Sequence, residues 1–157
     1  VSKITPEPFL IANHLYGPSY ISLDSALFHW GLIPERVFEI SCVTPKISKK
    51  FMVQNAVYSY THLPIAYYPV GIQSISLTKT QTVLIASPEK ALCDKVITTA
   101  GINLRSKQQA MAFLVEDLRI DKDQLRELNL REMVKWLPVC SKRKSIQCTI
   151  EMLEMIS

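Results

Sequence analysis

Glycine is scarce in this sequence. Four occur among 157 residues, at Gly17, Gly31, Gly71 and Gly101. No two fall within one phosphate-cradling loop, so the Walker and dinucleotide-binding fingerprints are excluded. Cysteine is no richer: Cys42, Cys93, Cys140 and Cys148 include no Cys-x-x-Cys pair. That spacing gives neither a zinc knuckle nor a thioredoxin-type dithiol, and mostly apolar neighbours point to buried free thiols. The three histidines, His14, His29 and His62, stand far apart, and none has a partner at i+3 or i+4. No helical metal site follows, and neither a metal nor another cofactor is expected. No Asp or Glu is followed two residues later by Lys, so the acid-x-Lys element of restriction-type nucleases is missing. No apolar run approaches the roughly 20 residues that span a bilayer. Val1-Ser2-Lys3-Ile4-Thr5-Pro6 is no secretory signal. A cytoplasmic protein without a membrane partner is expected.

What remains is globular composition, 48% hydrophobic and 20% charged. A chain of this length buries roughly 70% of its unfolded surface and needs no metal or disulfide staple. The net charge is +4, and each half of the chain carries +2 when it is divided after Ala86. Mild, evenly spread basicity permits a nucleic-acid or acidic partner without requiring one.

The pattern along the chain is that of a single α+β domain. Residues 1–36 read as two helices, 37–86 as a mostly antiparallel sheet of about five strands, and 87–157 as a helical bundle. Thr5 and Pro6 look like the cap and first residue of the opening helix, which stops at Gly17-Pro18. Ser22 is read as the cap of a second helix, Leu23 to Trp30, with Gly31 just past its end and Pro34 blocking continuation. Alternation from Val37 to Val43 predicts a strand with Phe38, Ile40 and Cys42 on one face. Phe51–Val53 and Val57–Thr61 flank a turn at Gln54-Asn55-Ala56, where Asn55 can take positive φ. Ile72–Leu77 and Thr82–Ala86 pair across Lys79-Thr80. Val83-Leu84-Ile85-Ala86 is apolar on both faces and belongs in mid-sheet. Ser87-Pro88-Glu89 supplies cap, N1 proline and first-turn acid for a helix running to about Ala100. Ser106-x-x-Gln109, Asp121-x-x-Gln124 and Asn129-x-x-Glu132 repeat capping-box logic. A last helix aligns Ile146, Ile150, Leu153 and Ile156 on one stripe.

Candidates for chemistry are few. His29, beside Trp30, reads as a partly buried, hydrogen-bonded histidine, and His62 ends a strand rich in tyrosine. Asp121-x-Asp123 has the spacing of a nucleotidyltransferase carboxylate pair, but no Gly-Ser element precedes it, and it reads as a solvated capping turn. Two basic clusters stand out, Lys46, Lys49 and Lys50 between strands, and Lys142-Arg143-Lys144 between helices. If the last helix started at Ser141, the second cluster would oppose its macrodipole. A start at Ser145 or an anionic partner would relieve that conflict. Both clusters are candidate contacts for phosphate or an acidic partner, and Tyr58, Tyr60, Tyr67 and Tyr68 are available either to stack on bases or to pack the sheet.

The most distinctive feature is a string. Ile11-Ala12-Asn13-His14-Leu15-Tyr16-Gly17-Pro18-Ser19-Tyr20-Ile21-Ser22-Leu23-Asp24-Ser25-Ala26-Leu27, followed by Gly31-Leu32-Ile33-Pro34-Glu35, resembles the AbiEi family of bacterial antitoxins. The resemblance extends to Tyr58-Ser59-Tyr60 and to Ile85-Ala86-Ser87-Pro88-Glu89-Lys90-Ala91-Leu92-Cys93-Asp94. It spans about residues 8 to 95, and its motif positions Tyr16, Gly17, Pro18, Tyr20, Ser22, Gly31, Pro34, Ser87, Pro88 and Glu89 are mostly folding determinants. It implies a non-enzymatic antitoxin or transcriptional-regulator domain of a type IV toxin–antitoxin system in phage defence, countering a nucleotidyltransferase-like toxin. Such proteins usually carry an N-terminal winged helix-turn-helix that binds operator DNA. The resemblance begins within ten residues of Val1, which leaves no room for that module and makes operator binding by this chain alone unexpected. Two other readings stand beside it: a stand-alone nucleic-acid-binding module built on the two basic clusters, and an enzyme with His62 or a cysteine as its reactive group.

Overall fold

The computed structural model describes residues 7–34 and 37–157. Thr5, Pro6 and Glu35, singled out above, lie outside them. Among the described residues, seven α-helices and a six-stranded mixed sheet make up the α+β fold.

Helix α1 (Pro8–Leu15) follows Glu7 with proline at its first position and ends at Tyr16. A two-residue strand, β1 (Tyr20–Ile21), comes next, and then α2 (Leu23–His29). Gly31, at φ +79°, closes α2. The amide of Leu32 reaches the carbonyl of Leu27 (2.8 Å) and that of Gly31 the carbonyl of Phe28 (3.0 Å), which is the Schellman closure expected of glycine there.

The remaining strands are β2 (Ile40–Thr44), β3 (Lys49–Val53), β4 (Ala56–His62), β5 (Ile72–Ser76) and β6 (Thr82–Ala86). Their order is β3-β4-β2-β1-β6-β5. The two local hairpins form as expected, β3 with β4 and β5 with β6, both antiparallel. Gln54 and Asn55 both take positive φ in the first turn, the backbone that lets a two-residue loop follow strand twist. Three features depart from expectation. The sheet has six strands, because β1 is too short to show any period. The pairs β2–β4 and β1–β6 are parallel, so the sheet is mixed. Val37, Phe38 and Glu39 precede the strand, and Phe38 is 81% exposed. There the chain is tied to α2 instead, Ser25 Oγ donating to the Glu39 carbonyl (3.0 Å) and accepting from the Ser41 amide (2.9 Å).

Ser41 and Cys42 point to opposite faces, as strand geometry requires. Ser41 meets α2, whereas Tyr60, paired with Cys42, donates its hydroxyl to the Ala12 carbonyl in α1. Helices α1 and α2 thus cover opposite faces of the sheet.

Helix α3 (Pro88–Thr98) starts where Ser87 Oγ accepts from the Lys90 amide (3.1 Å). Beyond it lie α4 (Lys107–Met111), a π-helical turn (Ala112–Asp117), α5 (Lys122–Arg126), α6 (Leu130–Trp136), a 3₁₀ turn (Leu137–Val139) and α7 (Arg143–Ile156). Ser106, Asp121 and Asn129 each cap through their side chains. The inward residues of α6 are Met133 and Trp136, with Val134 exposed. Among the described residues no helix is long and apolar enough to cross a membrane.

Candidate functional site

The two stretches that carry the family resemblance meet at one carboxylate. Asp94, on α3, is fully buried. Its Oδ2 accepts from Tyr20 Oη (2.7 Å) and Ser22 Oγ (2.6 Å), and its Oδ1 from Tyr67 Oη (2.7 Å). Ser22 therefore holds the N-cap position of α2 without capping it through its side chain, contrary to the local expectation. The stronger acceptor, a buried carboxylate 72 positions away, takes the hydroxyl.

One turn before Asp94 on α3 lies Lys90, also fully buried. Its ammonium donates to the carbonyls of Tyr67 (2.8 Å), Tyr68 (3.1 Å) and Val70 (2.7 Å) and stands 3.7 Å from the centroid of the Tyr67 ring. Burial pushes the Lys90 amine down to about 8, against the opposing pull of Asp94. Burial likewise raises the Asp94 carboxyl, opposed by the Lys90 ammonium and the three hydroxyls. Both tyrosine hydroxyls are pushed up, by burial first and the Asp94 charge second. Tyr20, Ser22, Tyr67, Lys90 and Asp94 are each 0% exposed. This centre presents no surface to a ligand; it joins β1, α3 and the turn-rich segment 63–71.

The basic clusters divide. Lys142 adopts left-handed backbone at the N-cap of α7, φ +50°, and α7 begins at Arg143, between the two expected starts. The Lys142 ammonium donates to the carbonyls of Thr99 (3.0 Å) and Ile102 (2.8 Å), and more weakly to Val96 (3.4 Å). It closes the C-terminus of α3, where the helix dipole favours a cation, and this offsets the expected conflict with the dipole of α7. Arg143 donates to the carbonyls of Leu137 and Pro138, 2.9 Å each. Of the three, Lys144 is exposed with no such contact. Replacing Lys142 by Gln is expected to cost about 1 kcal/mol, read as a lower midpoint in urea with an unchanged slope.

Lys49 and Lys50 are neighbours on β3 and so face opposite ways. Lys50 turns to Glu39 (3.3 Å). Lys49 lies 5.4 Å from the Tyr16 ring centroid and Lys46 5.2 Å from it, on the face where Tyr60 packs edge to face with Tyr16 and Phe51 and those two rings tilt against each other. Tyr16 Oη donates to the Ile47 carbonyl (3.0 Å) and fixes the β2–β3 turn to the end of α1. His62 braces the same turn: its Nδ1 lies 3.1 and 3.0 Å from the carbonyls of Pro45 and Lys46. Both partners are acceptors, so that nitrogen carries the proton. Two exposed lysines thus stand over an aromatic platform, with Ile47 72% exposed beside them. Tyr58, Tyr60, Tyr67 and Tyr68 are buried and pack the core.

The other candidates are structural in this fold. His29 is exposed, not hydrogen-bonded as expected, and its ring packs against Phe9 (5.9 Å) and Trp30 (4.8 Å). Burial lowers its pKa. All four cysteines are buried and unpaired, and burial raises Cys42, Cys93 and Cys140, the last to about 11. Asp121 caps the Asp123 amide (2.8 Å), and Asp123 pairs with Arg126. Among the described residues no three of His, Cys, Asp and Glu come together in a way that could hold a metal.

Sequence reasoning missed Lys90 and Asp94 as a centre. They lay within the quoted string, and their i, i+4 spacing on an otherwise apolar helix face was the available signal. Compared with protein-family models and with curated proteins, the chain matches none.

Proposed function

We propose that this chain is a non-enzymatic antitoxin or transcriptional-regulator domain of the AbiEi type, acting in the cytoplasm against a nucleotidyltransferase-like toxin. Operator DNA is its partner wherever a winged helix accompanies the domain. The observation that carries this reading is the convergence on Asp94. Tyr20 and Ser22 from the first resembling string and Lys90 and Asp94 from the second form one buried centre. Strings that resemble a family separately, and that also need one another physically, support a shared fold more than a chance likeness does. The test is co-expression with the nucleotidyltransferase-like toxin encoded beside it. Growth arrest by the toxin is expected to be relieved by this chain. Absence of such a neighbour, or arrest unrelieved by well-folded protein, counts against the proposal.

A second reading is supported by the Lys46–Lys49–Tyr16 face, a single-stranded nucleic-acid contact. Cations beside the half-buried rings of Tyr16 and Phe51 and the exposed Ile47 suit a phosphate backbone with unstacked bases. Retention of a short oligonucleotide that weakens steeply with salt is its expected signature.

A further inference from the structure

The two edges of the sheet are guarded differently. One edge is β3, which carries Lys49 and Lys50. Charged residues, lysine above all, keep an edge from pairing with another chain. The other edge is β5, Ile72-Gln73-Ser74-Ile75-Ser76, with neither charge nor proline. Gln73, Ser74 and Ser76 are exposed. The register shows which backbone groups β5 presents. The Leu77 amide donates to the Gln81 carbonyl (2.8 Å), and the Ser87 amide to the Gly71 carbonyl (2.8 Å). Bonded pairs alternate along an antiparallel ladder, so Gln73 and Ile75 also turn their groups to β6. Ile72, Ser74 and Ser76 then point theirs away from it. On the far side of β6 the outlying groups are satisfied by side chains. Asn13 accepts from the Leu84 amide (2.7 Å) and donates to its carbonyl (3.3 Å), and Trp30 Nε1 donates to the Ala86 carbonyl (2.8 Å). Among the described residues no strand or side chain does the same for Ile72, Ser74 and Ser76.

A cavity of about 390 Å³ opens at the Ile72 end of this edge. Gly71, Ile72, Ser87 and Trp136 line it together with two carboxylates, Glu89 and Glu132. Both acids are half-buried. Glu89 Oε2 accepts from the Asn129 amide (2.9 Å), and Glu132 Oε1 from the Lys135 ammonium (3.0 Å). Among the described residues the second oxygen of each carboxylate has no partner. The Lys135 pair is solvent-accessible, and such pairs hold weakly, so an incoming cation can displace it. No lysine or arginine lines the cavity itself.

We propose that β5 receives an extended segment of a partner protein, paired to Ile72, Ser74 and Ser76, with a lysine or arginine side chain set against Glu89 and Glu132. Main-chain bonds to an open edge give such a segment its hold, and the cavity selects its side chain. Charge decides the occupant. A second copy of this chain would bring an uncharged β5, which leaves both carboxylates unanswered. This is independent of both functional readings above.

The test measures fluorescence anisotropy of a labelled heptapeptide alternating threonine and valine, with one arginine. One companion has glutamate in place of the arginine. Two more are N-methylated, one at the odd and one at the even backbone nitrogens. The protein variants are Ser74→Pro and Glu89→Gln/Glu132→Gln. Proline suits an edge strand where the lost N–H faces outward, so Ser74→Pro removes one outward donor and keeps the β5–β6 ladder. Thermal unfolding checks its fold, and the methylated peptides probe the same bonds on the unaltered chain. The arginine peptide is expected to bind the parent, and to bind Ser74→Pro about five-fold or more weakly. One methylated peptide should lose as much and the other little, since alternate nitrogens face the edge. The double glutamine variant should lose about ten-fold for the arginine peptide without weakening the glutamate peptide. Undiminished binding of both methylated peptides overturns strand pairing. Equal affinity for the arginine and glutamate peptides overturns the cationic occupant. No binding of any peptide at millimolar concentration overturns the proposal whole. Self-association of the parent that Ser74→Pro abolishes would give the edge to a second copy and overturn the partner segment.

Discussion

Asp94→Asn is expected to destabilise the protein by about 3–5 kcal/mol, the usual effect of removing one member of a buried charged pair. At this chain length that corresponds to a fall in Tm on the order of 10 °C. The cause is specific. Lys90 stays buried with its ammonium on three carbonyls, but the charge that offsets its burial is gone. Tyr20, Ser22 and Tyr67 also lose the carboxylate they share. Lys90→Met should cost a similar amount, since it leaves an unopposed carboxylate and three carbonyls without a donor. The double variant should cost less than the two single changes together, by roughly 0.5–3 kcal/mol. Additivity within about 0.5 kcal/mol in a denaturant-measured cycle would show that the two charges do not act on one another.

The same pair sets a pH dependence. The Lys90 amine titrates near 8 in the folded chain, against an ordinary lysine value of 10.5. Between those values the unfolded chain binds more protons, so this group's contribution to stability rises with pH and is lost as pH falls through 8. The cysteines and tyrosines raised by burial work the other way above about pH 9. The Lys90 contribution is therefore read as a difference. The stability gap between the parent and Lys90→Met is expected to widen from about pH 8 to about pH 9.5, and a constant gap would refute the depressed lysine.

How much of this was legible in the residues depends on how far apart the partners are. The Ser87 cap, the Gly31 closure and the Gln54-Asn55 turn are settled within six residues, and each could be read directly. Sheet membership of Val83-Leu84-Ile85-Ala86 was also readable, but mid-sheet placement was not borne out: β6 lies one strand from the edge, and Leu84 is 44% exposed. The parallel pairs were not. A hairpin advertises itself through its turn, whereas β2–β4 and β1–β6 join segments whose connections carry no such signal. Strand β1 exists only because neighbours on both sides hold two residues extended. Ser22 shows the same limit in one side chain. Local rules give a serine before Leu23 to the helix, and only the fold reveals Asp94 as its partner. Lys142 and Arg143 looked like a basic surface because sequence shows charge but not the carbonyls that α3 and the 3₁₀ turn present to it. Lys46 and Lys49 remained exposed, and alternation alone could have separated Lys50 from Lys49.

Gly71→Ala is the second large effect, expected at about 2–4 kcal/mol. Gly71 ends the segment that Lys90 holds, and its carbonyl accepts from the Ser87 amide (2.8 Å) at the start of α3. Its φ is +72°, a conformation any side chain resists at a cost of about 1 kcal/mol or more. Space compounds the strain. A Cβ there would lie 2.8 Å from Lys90 Cβ and 2.9 Å from two carbons of the Trp136 ring. Neither neighbour yields easily, since Lys90 is pinned by three carbonyls and Trp136 is 5% exposed. Overpacking of this kind adds about 1–3 kcal/mol. Partial relief should come from Trp136→Leu in the same chain, because the smaller side chain removes two of the three clashes but not the backbone strain. Gly71→Ala should then recover some, not all, of its lost stability in thermal unfolding. Full recovery would assign the whole effect to packing against Trp136, and none would assign it to the backbone together with the Lys90 contact. An alanine variant as stable as the parent would mean that segment 63–71 is not held against α3 by the Lys90 centre.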